Sequence, residues 1–249
     1  MSAAVVQQLE ARLARVPEPG SFSEADLEGL PDPVRRYFRR SIAPGTPLAR
    51  SARLRMRGSI KLGRRWIPFR ARQTYGPHEG LVWAARAAGV IVGSDRYADG
   101  TGGMDWRLLG LIRLVHADGP DISRSSAGRT GAEAVWLPTA MLPRFGVAWS
   151  STDDHHVTAR YQLDDTELEL RYTLDDDARV RSIALERWGD ADETGTSSLH
   201  PFGHEAIRYS TFDGITIPSA GRAGWHYGTD RWNEGEFFRY ELTEFHLVT

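Results

Sequence analysis

The chain has 249 residues, with 31 Lys plus Arg against 33 Asp plus Glu and a formal net charge of −2. That length admits one large β domain or two small ones, and a charge so near zero gives no electrostatic reason to expect nucleic acid or an anionic membrane as partner. With 0 Cys, disulfides, thiolate metal sites and cysteine nucleophiles are excluded.

Lys61 is the only lysine, so the basic residues are nearly all Arg. Bidentate anion binding would select this, and a GC-rich genome would also produce it. The N-terminus shows no basic segment followed by a long apolar run, and no apolar run reaches the length of a bilayer span. A cytoplasmic protein without a membrane span is the expectation.

In chain order, Val5, Val6, Leu9 and Leu13 fall at helical spacing and predict a short amphipathic helix ended by Pro17 and Pro19. Ser23 precedes Glu24 and Asp26, a candidate N-cap with an acidic first turn. A second helix follows Pro31 and Pro33, with Tyr37, Phe38 and Ile42 to pack and Arg35, Arg36, Arg39 and Arg40 to snorkel.

From Ala52 the period changes to two. Leu54, Met56 and Ile60 alternate with Arg53, Arg55, Arg57 and Ser59, the pattern of a strand with one wet face. Strands are expected over 66–75, 81–86 and 90–97. Pro68 suggests an edge or a bulge. Asp99–Trp106 reads as a glycine-rich turn. Its spacing fits no phosphate-binding loop. Residues 108–115 are apolar, either strand or short helix. Gly119-Pro120-Asp121 opens a central helical segment running to about Leu142, with Asp121 as N-cap candidate and Gly128, Gly131 and Pro138 interrupting it.

After Pro143, alternating runs separated by Asp-rich turns predict consecutive hairpins, hence an antiparallel meander. It ends in an aromatic ribbon, Arg222 to Val248. Strand parity there places Trp225 and Tyr227 on one face, and His226 with Arg222 and Gly224 on the other. The tally is nine or ten strands.

Several motifs together resemble one bacterial family: LPDPVRRYF (30–38), GPDISRS (119–125), VWLPTAMLP (135–143), RWGD (187–190), TIPS (216–219), GWHYGTDRW (224–232) and GEFFR (235–239). The resemblance is to the domain-of-unknown-function proteins catalogued as family 6544 or 6920, over nearly the whole chain. It implies kinship of fold and brings no catalytic residues with it. The architecture is also similar to half-barrels of the lipoprotein-carrier and violacein-enzyme type.

Chemistry-bearing residues offer several candidates. No G-x-S-x-G elbow is present, and Ser219 has no base assigned by sequence. His155-His156 beside Asp153 and Asp154 opens a hairpin, where polar residues are expected anyway. His200 and His204 are the better metal candidates, although Pro201 and Gly203 argue against the helix that would align them. No metal or other cofactor is predicted. If its face is concave, His226 is a candidate acid–base group, with Glu236 to orient it or act itself. Arg187 lies in line with Ile183 and Leu185, so it is either paired in the sheet's hollow or at a frayed end. Arg239 has the same ambiguity. Arg124, Arg129 and Glu133 on the central helix could face either. Trp83, Trp106, Trp136, Trp188 and Trp225 belong to elements predicted to pack, as core or as the lining of a cavity.

The expectation is therefore a mainly β fold: one large curved antiparallel sheet, half-barrel-like, wrapped around a central helical segment, with two short N-terminal helices. It covers residues 1–249 as one domain, with a helical segment 1–45, a first β half 51–118, the central helix 119–143 and a second β half 156–248. The hollow is expected to bind a small, largely apolar molecule with a polar or acidic head through Trp136, Trp188, Trp225, Arg124, Arg129, Arg187, Arg239 and Glu133. A metal-independent enzyme using His226 and Glu236 in the same hollow is the alternative. A structural or partner-binding protein whose aromatics are all core is the third reading.

Overall fold

A computed structural model describes residues 3–13 and 17–249. Among the described residues, one antiparallel sheet holds 13 strands. Helix α1 (Ala3–Leu13) buries Leu13; the side chains of Val5, Val6 and Leu9 lie outside the described residues. Strand β1 (Pro17–Ser21) pairs with β2 (Pro47–Ala49) in a separate ribbon. Between them stand a single 3-10 turn, Glu24–Leu27, with Ser23 and Asp26 in a capping box, and helix α2 (Asp32–Ser41).

The first meander comprises β3 (Ser51–Leu62), β4 (Arg65–Gly76), β5 (Gly80–Ala87), β6 (Ile91–Ala98), β7 (Thr101–Leu108) and β8 (Ile112–Ala117). The chain then crosses the hollow through α3 (Pro120–Ala132) and three short 3-10 turns, Glu133–Trp136, Pro138–Met141 and Pro143–Phe145. The second meander comprises β9 (Ala148–Ser151), β10 (His156–Leu163), β11 (Thr166–Leu174), β12 (Val180–Gly189), β13 (Ser198–Phe212), β14 (Ile215–Trp225) and β15 (Glu236–Val248), with α4 (Trp232–Gly235) before the last. It starts at the far edge and returns until β15 pairs with β3, closing the two meanders into one sheet with β8 and β9 at its edges.

A sheet this wide must curl. The degree of curl shows in one contact. Asp164, in the β10–β11 turn, accepts hydrogen bonds from Tyr97 Oη (2.8 Å) and Gly100 N (2.9 Å) in and beside the β6–β7 turn, from the opposite half of the sheet. Alternation sets which side is inside. In β3, Ala52, Leu54 and Met56 are buried while Arg53, Arg55 and Arg57 are exposed. The register carries that inner face across Phe69, Trp83, Tyr240, Phe202 and Leu185. Helix α2 covers the far end of the second half, where Tyr37 and Phe38 pack on Trp149, and Tyr37 on Tyr172.

Three expectations are corrected. Asp99–Trp106 is mostly strand β7, not a turn. Its glycines serve close approach, since a Cβ on Gly102 would lie 2.7 Å from the Ile122 carbonyl of α3. The central helix ends at Ala132 rather than near Leu142; Asp121 is in its first turn, and Gly119 is the N-cap residue. Tyr227 does not share a face with Trp225. Strand β14 stops at Trp225, His226 adopts φ +58°, and the reversal lays Tyr227 over Gly203 on the outer face.

Candidate ligand-binding hollow

Helix α3 and the turn after it fill part of the concave side. What they leave is a cavity of about 460 Å³ between the first meander, α3 and strands β12 to β15. Its wall is mainly aromatic and aliphatic, with Trp83, Trp106, Trp136, Trp225, Phe202 and Phe238 on it. Leu62, Leu114 and Val115 belong to the lining and are 49%, 48% and 43% exposed, so the cavity opens among the tips of the first meander.

The polar groups on this wall are few and differ in kind. Arg129 is neutralised: Nη1 lies 2.7 Å from Asp95 Oδ2 and Nε 2.9 Å from Glu133 Oε1. Burial works against its charge, but Glu133 and Asp95 outweigh that and raise its pKa. Asp95 also accepts from Trp106 Nε1 (2.8 Å), and Glu133 from Gln73. The network pins α3 to β4, β6 and β7.

Arg187 has no such partner. It is 9% exposed; Nε donates to the Ser125 carbonyl (3.1 Å) and Nη2 to Ser125 Oγ (3.4 Å). Its guanidinium lies 4.6 Å from the Phe202 ring centroid and 4.8 Å from that of Trp225. Among the described residues no carboxylate pairs with it. Burial, with Arg129 adding repulsion, pulls its pKa down to about 9, so it stays charged at neutral pH. Gly128 makes room for it: a Cβ there would stand 2.9 Å from Arg187 Cγ.

His204 also lines the cavity, at 4% exposure. Trp136 Nε1 donates to Tyr240 Oη (3.2 Å), and Tyr240 Oη lies 2.7 Å from His204 Nε2. Tyr240 Oη thus links Trp136 to the His204 ring. Nδ1 is buried and without a partner among the described residues. Burial pushes the pKa of His204 down to about 4, so the ring is neutral at pH 7.

Of the residues singled out from the sequence, Trp136, Trp225, Arg129, Arg187 and Glu133 are on the cavity wall. Arg124, Trp188 and Arg239 are not. Arg124 stacks on Trp188 at 4.0 Å beside the start of α3, where Trp188 Nε1 donates to Asp121 (2.8 Å). Arg239 lies on the convex face over Trp66 at 4.2 Å. His226 and Glu236 also lie outside the wall. Glu236 accepts from Arg239 Nε (2.5 Å) and Arg222 Nη1 (3.2 Å), while His226 Nε2 is 3.5 Å from Asp192. His200 and His204 are on strand β13, where a four-residue step spans about 13 Å. His200 sits near Trp225 and His226, away from the Tyr240 chain that holds His204. Sequence reasoning missed Asp95, His204 as a lining group, and Tyr240. The register of β13 against β12 would have put His204 beside Ile183, on the face of Arg187.

The chain belongs to a family of unknown function, DUF6544, whose model matches residues 20–237. No curated protein matches it. Among solved structures it is similar to a domain described as an outer membrane lipoprotein-sorting protein from Vibrio parahaemolyticus, at 9% identity and TM-score 0.46, covering 88% of this chain and 92% of that one. It is also similar to a LolA superfamily protein from Nitrosomonas europaea, at 9% identity and TM-score 0.42, covering 97% and 93%. A third is a DUF1329 family protein from Desulfovibrio piger, at 9% identity and TM-score 0.36, covering 98% and 92%.

Proposed function

We propose that the hollow binds a small, largely apolar molecule ending in an acidic group, with Arg187 holding that group and the ring-lined remainder taking the apolar body. Arg187 itself carries the reading. It is a charged guanidinium on the wall of an apolar cavity, with a backbone carbonyl and two ring faces where a carboxylate would be expected. Burying an unpaired charge is costly, and stability alone favours Met or Leu at such a position. A ligand carboxylate would supply the missing partner through charge-assisted bonds. The volume of about 460 Å³ lies within the roughly 300–1,000 Å³ of small-molecule sites. A cytoplasmic location belongs to the same proposal.

The test is titration of delipidated protein with a fluorescent long-chain fatty acid and with the corresponding fatty alcohol. Wild type binds the acid, and Arg187→Met weakens it about tenfold or more while changing alcohol binding little. If both proteins bind acid and alcohol alike, the assignment of the acidic head to Arg187 is wrong. If neither probe binds, and no apolar compound is released from the denatured protein, the ligand reading itself fails.

A further inference from the structure

The first meander brings three hairpin tips to one end of its half of the sheet: β3–β4, β5–β6 and β7–β8. Among the described residues, seven of the nine exposed large hydrophobics belong to these hairpins: Leu62, Val90, Leu109, Leu111, Ile112, Leu114 and Val115. Leu111 is 81% exposed and Leu109 66%. Scattered singly, such residues need no explanation; gathered at one end around the mouth of a cavity, they do.

The backbone adds an independent argument. The β7–β8 turn takes φ +53° at Leu109 and +74° at Gly110, a left-handed pair closed by Leu111 N donating to the Leu108 carbonyl (3.0 Å). Folding alone favours Asn, Asp or Gly at the first of these positions. A leucine there accepts backbone strain and leaves its side chain in water. The β5–β6 turn repeats the geometry with Ala88 at φ +48° and Gly89 at +73°.

The charge at this end is one-sided. The tip stretches 61–66, 86–91 and 107–115 carry Lys61, Arg64, Arg65, Arg86, Arg107 and Arg113 and no acidic residue, in a chain whose net charge is −2. Arg107 pairs with Asp105 at 2.8 Å, and Arg113 lies 3.8 Å from the same carboxylate. Lys61 Nζ donates to the Glu234 carbonyl (3.0 Å). Among the described residues, no ion pair involves Lys61, Arg64, Arg65 or Arg86. The near-neutral total hides this local excess.

We infer that these three tips dock on an anionic lipid bilayer, with Leu62, Val90, Leu109 and Leu111 entering the headgroup boundary and the basic residues flanking them on lipid phosphates. Apolar side chains that enter beside cations that stay at the surface are the elements of interfacial binding. The surface is continuous with the cavity mouth through Leu62, Leu114 and Val115, so the docked protein opens its hollow toward the acyl chains. The docking goes beyond the cavity reading and does not depend on what the cavity holds.

The test is co-sedimentation of the full chain with phosphatidylcholine vesicles, with and without about 30% phosphatidylglycerol. Wild type partitions onto the anionic vesicles and is released at about 0.5 M salt. Leu111→Asp and the pair Arg64→Glu, Arg65→Glu each weaken partitioning tenfold or more, taking roughly fivefold per cation lost. Because the chain has 0 Cys, Leu111→Cys gives a single site for a polarity-sensitive fluorophore. Its emission shifts to the blue on anionic vesicles, and the same label at Asp176→Cys in the β11–β12 turn does not shift. Failure of wild type to bind anionic vesicles, or undiminished binding by both charge and Leu111 variants, overturns the inference. Self-association that Leu111→Asp abolishes, without vesicle binding, assigns the tips to a second copy of the chain instead. The vesicles contain no fatty-acid probe, so this assay and the titration of the hollow fail separately.

Discussion

Two arginine clusters on opposite sides of the same sheet show what burial and pairing do to similar residues. On the convex face, Arg222 reaches Glu205 (2.6 Å) and Glu236 (3.2 Å), and Arg239 reaches Glu236 while stacking on Trp66. On the concave face, Arg129 is bracketed by two carboxylates, and Arg187 has aromatic rings and no carboxylate. All are Arg beside Trp or Phe, and by type alone they are equivalent. The convex group satisfies itself in partial contact with water. The concave pair divides into one arginine paired with carboxylates and one without such a partner among the described residues.

The largest effect expected from this division is at Arg129. Replacing it with Met strands Asp95 and Glu133 on an apolar wall and costs about 3–5 kcal/mol, read as a fall in unfolding free energy in urea. A loss under about 1 kcal/mol would erase the distinction between the two concave arginines. His204 comes next. Burial holds its pKa down to about 4, below the ordinary 6.5. The unfolded chain therefore binds more protons between those values, so this contribution to stability is complete above pH 6.5 and is lost as pH falls toward 4. The loss amounts to about 3 kcal/mol. His78 is shifted in the same direction by its own burial, so the measurement is the difference between wild type and His204→Gln from pH 7.5 to 4.5. Curves that stay parallel would mean that His204 takes up its proton as readily in the fold as in the unfolded chain.

Arg187→Met follows, and its sign separates the two roles. Removing an unpaired buried cation leaves stability within about 1 kcal/mol of wild type, or raises it, while acid-probe affinity falls about tenfold. A destabilisation as large as that of Arg129→Met would return Arg187 to the fold.

Much of the frame was readable without coordinates because alternation is a direct consequence of the pleat. The Arg–apolar alternation of 52–60, the Asp-rich turns of the second meander and the alignment of Arg187 with Ile183 and Leu185 each follow from a period of two. Parity says which residues share a face and is silent on which face is concave. That is why Arg239 and Arg187 looked alike, and why Arg124 and Trp188 were grouped with residues they do not join. Parity also fails where the backbone turns left-handed, as at His226, and Tyr227 changed sides with it. Gly102 read as turn chemistry because the helix that needs its missing Cβ is distant in sequence. Net charge, a sum over the whole chain, could not register six basic residues collected at one end.

The smallest effect sharpens the comparison most. Glu236→Gln preserves shape and removes the charge that both convex arginines share. Arg222 keeps Glu205, and Arg239 is 54% exposed on its side chain and can turn to water. The cost to stability is therefore about 1 kcal/mol. If the convex cluster serves only the fold, affinity of the hollow for the acid probe does not change. An affinity loss as large as that of Arg187→Met would show that the two faces act together, with the charge on Glu236 felt through the sheet. That outcome would dissolve the division between a face that completes the structure and a face proposed to bind a ligand.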